Sequence, residues 1–77
     1  MKDLLTYTVS QILGNNDFEI VEEESTKGYL SLKIITDPKN IGLIIGRKGR
    51  TINAIRNLLK VKATLDKVGF SLEVSER

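Results

Sequence analysis

The 77-residue chain has no cysteine, no histidine and no tryptophan. The missing thiols exclude disulfides and thiolate chemistry. With imidazole absent as well, zinc sites built on Cys and His and histidine-based catalytic triads are excluded too. No paired carboxylates stand out as an acid–base couple, so the chain reads as non-enzymatic, without cofactor or metal. No apolar run reaches the roughly twenty residues that a membrane-spanning helix needs, and Met1-Lys2-Asp3 opens a polar-capped helix rather than a secretory leader. The expectation is a soluble cytoplasmic protein with no membrane partner. Residues 1–77 form one domain, with a core near the lower size limit for folding without staples.

What is present is a charge division that the net value of +2 conceals. From Pro38 to Leu65 there are seven cations, Lys39, Arg47, Lys48, Arg50, Arg56, Lys60 and Lys62, and no acid. The rest of the chain holds five basic residues against ten acidic ones. Such an asymmetry is the electrostatic footprint of a nucleic-acid contact surface. The blander alternative is a solvated helix face.

Hydrophobic spacing outlines the elements. Leu5, Val9 and Ile12 mark a helix over 4–13, with Asp3 as its N-cap and Gly14 as its stop. Phe18 to Glu24 alternates as an edge strand kept soluble by its glutamates. Ser25-Thr26-Lys27-Gly28 is a turn. Tyr29 to Thr36 follows as a strand with Leu30, Leu32 and Ile34 inward, completing an antiparallel hairpin. Asp37-Pro38-Lys39-Asn40 ends that strand, with Asp37 or Asn40 free to cap a short helix over 41–45. A longer helix runs from about Lys48 to Lys67, with Ile52, Ile55, Leu59 and Ala63 on an aliphatic inner face and cations on the outer one. Val68 to Ser75 is a third strand. Ile44, Ile52, Ile55 and Leu59 are core candidates, whereas Ile45 stands between core and contact.

Inside the basic segment the chain reads IGLIIGRKGRTINAIRNLL from Ile41 to Leu59. Gly46 and Gly49 bracket Arg47 and Lys48. Glycine at both ends permits a tight turn and removes the Cβ atoms that would hold a sugar-phosphate chain away. Ordinary turns favour Asn, Asp or Ser, so a basic pair here is a departure. The turn also presents the first amides of the long helix, whose free N–H groups and dipole favour an anion. Arg47 can bond phosphate oxygens through its planar fork, and Lys48 acts as a point charge. Arg56, Lys60 and Lys62 either extend that contact or only keep the helix soluble. The spacing of Gly42, Gly46 and Gly49 does not make a dinucleotide fingerprint, and no Gly-Lys-Ser/Thr completes a Walker loop.

The octet Ile45-Gly46-Arg47-Lys48-Gly49-Arg50-Thr51-Ile52, together with the element order, resembles a type II KH domain. The likeness spans the chain and is greatest to the small single-KH RNA-binding proteins of bacteria. It implies an α+β fold of order α-β-β-α-α-β, a three-stranded mixed sheet with the third strand parallel to a hairpin strand, and three helices packed on one face. It also implies single-stranded RNA gripped by its backbone at the glycine loop, with about four nucleotides held and bases in an aliphatic groove at Gly42 and Ile45. The candidate RNA-binding residues are Gly46, Arg47, Lys48, Gly49, Gly42, Ile45, Arg50, Lys39 and Arg56. A role as RNA chaperone or post-transcriptional regulator follows. Scarce aromatics argue against modules that stack bases on aromatic platforms. The alternative is a protein-interaction module that dimerises or docks a larger KH-containing RNA-binding partner. Single-stranded DNA differs as a ligand only by its missing 2′-hydroxyl.

Overall fold

The period-two alternation of residues 18–36 becomes a hairpin in a computed structural model of the chain, which describes residues 1–25 and 28–77. β1 (Phe18–Glu24) pairs antiparallel with β2 (Tyr29–Thr36), Phe18 opposite Thr36 and Glu24 opposite Leu30. The middle of the expected Ser25–Gly28 turn, residues 26 and 27, lies outside the described residues. β3 (Gly69–Glu76) lies parallel to β2 on its other side, giving a mixed sheet of order β1-β2-β3. Parallel neighbours need a long crossover. Two helices supply it, α2 (Pro38–Ile45) and α3 (Arg50–Asp66), while α1 (Lys2–Leu13) precedes the hairpin. The architecture is therefore the expected α+β order, α-β-β-α-α-β.

All three helices cover the same face of the sheet. Leu32 and Ile34 of β2 meet Leu5 and Val9 of α1, Ile44 of α2, and Ile55 and Leu59 of α3 in one buried cluster. Each fully buried side chain of this size contributes about 1.5–3 kcal/mol. The opposite face is open and carries a 4.0 Å ion pair between Lys33 and Glu73.

The helix ends depart from the expected boundaries for identifiable reasons. α1 starts at Lys2, and Asp3 sits in its first turn rather than at its cap, where a carboxylate still favours the helix dipole. Glu22 of β1 does the capping from a distance, its Oε2 accepting from the Lys2 backbone N–H at 3.1 Å. α2 starts at Pro38 instead of Ile41, because proline at the first helical position has no amide to waste and a preset φ. α3 starts at Arg50 instead of Lys48. Residues 47–49 form a separate 3-10 turn because Lys48 and Gly49 both have positive φ. β3 runs one residue later than expected, after Lys67 closes α3 in a left-handed conformation.

The start of α2 is tied down by polar contacts. Thr36 and Asn40 are the buried polar residues of the fold among those described. Asn40 Nδ2 donates to Thr36 Oγ1 at 3.1 Å, and that hydroxyl donates to the Asp17 carbonyl at 2.8 Å. Asn40 is thus an internal tie, not a cap. Arg77 adds an outer clasp: its backbone N–H donates to the Thr36 carbonyl, and its guanidinium pairs with Asp17 at 2.7 Å and with Asp37 at 3.4 Å. The Asp17 carboxyl is held below its usual range, first by the Arg77 hydrogen bond and then by its charge.

Candidate nucleic-acid interface

α2 ends at Ile45, and the chain reverses through Gly46, Arg47, Lys48 and Gly49 before α3 begins. Gly46 has φ 76 and ψ 174, a region open essentially to glycine alone. A Cβ there would collide with the Thr51 side chain on the first turn of α3. Gly46 is therefore demanded by the loop's own packing, and not only by access for a ligand. Gly49, at φ 73, is left-handed for the same turn. Lys48 adopts φ 57 and ψ 25 without being glycine, a conformation that costs of order 1–3 kcal/mol and gathers at functional sites.

Gly42 differs from both. It lies inside α2 with ordinary φ, and a Cβ there would meet no atom within 4 Å. Folding makes no demand for glycine at that position, and the surface beside it is open. Neighbouring isoleucines part company: Ile44 is fully buried, whereas Ile45 is 38% exposed beside the loop.

The electrostatics set the loop apart. Among the described residues, Arg47, Lys48, Arg50 and Lys39 form no ion pair, whereas Lys62 meets Asp66 at 3.4 Å on its own helix. No side chain caps the start of α3, and first-turn N–H groups have no acceptors within a helix. The loop is a concentration of unneutralised donors. Gly42, Ile45, Gly46, Arg47, Lys48, Gly49 and Arg50 follow one another through the end of α2, the loop and the start of α3. Arg56 lies farther along α3, about 9 Å from Arg50 at the helical rise, and donates through Nη1 to Asn53 Oδ1 at 3.0 Å. Lys39 is not part of the cluster, since it stands at the opposite end of α2 in the field of Asp17.

The outer face of α3 is not simply basic. It also carries an exposed apolar ridge: Ala54, Leu58, Val61 and Leu65 recur at spacings of four, three and four, with Leu58 43%, Val61 61% and Leu65 74% exposed. That helical period was available in the sequence, but interleaved cations hid it.

The family model for the KH domain of KhpA/KhpB matches residues 2–74. An RNA-binding protein KhpA of Chlamydia trachomatis is 36% identical over 76 residues, covering 99% of this chain and 97% of that protein. The RNA-binding proteins KhpA of Streptococcus pneumoniae serotype 4 and Leifsonia xyli are 32% and 35% identical over 59 and 60 residues. Each alignment takes in 77% of this chain, with 75% and 78% of the respective relatives. No solved structure gives a significant match.

Proposed function

This chain belongs to the KhpA/KhpB family of KH domains, and on that premise we propose that it is a non-catalytic RNA-binding protein whose Gly46–Gly49 loop grips the backbone of a short single strand. The observation that carries this reading is the unneutralised pair Arg47 and Lys48, held between positive-φ glycines at the uncapped head of α3. Cations with no protein partner, in a backbone that costs energy to hold, are suited to an external anion. Repeating phosphates are that anion. Bases rest on the open aliphatic surface at Gly42 and Ile45, where a missing side chain leaves room. A chaperone or post-transcriptional regulator would need this kind of grip, strong on backbone and modest in sequence preference.

Replacing Arg47 and Lys48 by Asp should abolish RNA binding in a fluorescence titration without unfolding the protein, since both positions are exposed and aspartate tolerates the left-handed backbone at position 48. Wild-type binding should weaken with salt at a log-log slope of roughly −2 to −3.5, the value for about three to five contacts on a single strand. A folded double variant that still binds would sink the reading.

The apolar ridge of α3 favours a second reading alongside the first. Ala54 and Leu58 border a cleft of about 410 Å³ shared with Thr8 and Ile12 of α1, and an exposed apolar surface of this kind marks a protein contact. Here the protein dimerises or docks a KH-containing partner. Sedimentation of wild type against a Leu58→Lys/Val61→Lys variant should show association lost only in the variant. A wild type that is monomeric at every concentration would remove self-association.

A further inference from the structure

The hydrogen bond from Arg56 to Asn53 does more than join two exposed side chains on α3. A guanidinium can only donate, so the Asn53 carbonyl oxygen faces Arg56 and its amide nitrogen is turned the other way. That direction is toward the loop: a Cβ on Gly49 would stand 3.9 Å from Asn53 Nδ2. Among the described residues Nδ2 donates to no acceptor, and Asn53 is exposed. Helix formation does not call for asparagine there, since alanine is the better former. A spare, oriented donor therefore stands immediately behind the basic turn.

We propose that Asn53 is a further RNA contact, its Nδ2 donating to a phosphodiester oxygen of the strand held by the Gly46–Gly49 loop, with Arg56 as the positioning residue that fixes the amide. The inference rests on the loop reading above. Arg47 and Lys48 attract the backbone over a distance, while a neutral amide bonds only when an oxygen is in place. Asn53 thus contributes register rather than attraction.

The test titrates a fluorescein-labelled, random-sequence single-stranded RNA against wild type, Asn53→Ala, Arg56→Ala, the Asn53→Ala/Arg56→Ala pair and the Arg47→Asp/Lys48→Asp variant, with thermal melts of each. Asn53→Ala should weaken binding roughly 3- to 10-fold, the worth of one solvent-reachable hydrogen bond. Its salt slope should not change, because no charge has been removed, and its melting temperature should not fall. Once Arg56 is gone, Asn53→Ala should cost less than it does alone, because the two act through one contact. If Asn53→Ala binds as wild type while the loop variant does not, the Asn53 contact is wrong and the loop reading stands. If both bind as wild type, both fall. Independent, multiplying losses from Asn53 and Arg56 would overturn the positioning role.

Discussion

The two ends of α2 are separated by fewer than three helical turns and are built on opposite terms. At the Pro38 end a set of polar groups is matched, Asn40 to Thr36, Thr36 to Asp17, and Arg77 to Asp17 and Asp37, with Lys39 beside them in the field of Asp17. At the Ile45 end the backbone is forced through positive φ at Gly46, Lys48 and Gly49, and among the described residues the cations meet no carboxylate. One end is closed chemically and the other is left open. The contrast teaches that satisfied polarity marks what holds a helix in place, and unsatisfied polarity marks what it is held in place for.

The sharpest test of that contrast uses adjacent residues at the open end. If openness is a property of the surface and not of the whole segment, Ile44→Ala should cost about 2–5 kcal/mol in denaturant unfolding, as a cavity does. Ile45→Ala should cost far less and instead weaken RNA binding. Equal destabilisation by both, with affinity kept in the folded fraction of Ile45→Ala, would make Ile45 a core residue. A gentler probe is Gly42→Ala. Removing a helix-interior glycine should stabilise the fold by about 0.5–1 kcal/mol, since the new methyl meets no neighbour. On the proposed groove, the same methyl should lower RNA affinity by filling the space assigned to a base. A variant that gains stability and keeps full affinity would close the groove assignment.

The smallest effect belongs to the closed end. Because the Asp17 carboxyl is held below its ordinary range by Arg77, its contribution to stability is present above the unfolded-state value and is lost as pH falls through the folded one. The window therefore lies on the acid side of about pH 4. Thermal melts taken downward from neutral pH should show a slightly steeper acid limb in wild type than in Asp17→Asn. Identical limbs would mean that the clasp is decorative.

Much of this was legible in the chain. β1 and β2 begin and end where alternation predicts, because a period of two leaves little freedom in register. The glycine loop was legible because Gly46 and Gly49 announce the backbone they permit. The start of α1 was displaced by a partner remote in sequence, Glu22, and that of α2 by Pro38, which opens a helix as readily as it ends a strand. Lys48 concealed the late start of α3, since lysine gives no notice of a left-handed conformation. Lys39 shows the limit of counting charge along a chain: it belongs to the basic segment by sequence and to the acidic clasp by position.

The parallel pairing of β2 with β3 has a kinetic consequence. The hairpin can zip locally, but Tyr29 meets Gly69 and Thr36 meets Glu76 only after the whole intervening crossover has been laid down, and closing so long a loop comes late and slowly. The glycine turn lies within that crossover. Its own shape is set locally, by the positive φ at Gly46, Lys48 and Gly49 and by the close approach of Gly46 to Thr51, so the turn is available before β3 docks, and amide exchange at residues 46–49 should be independent of the opening of β3.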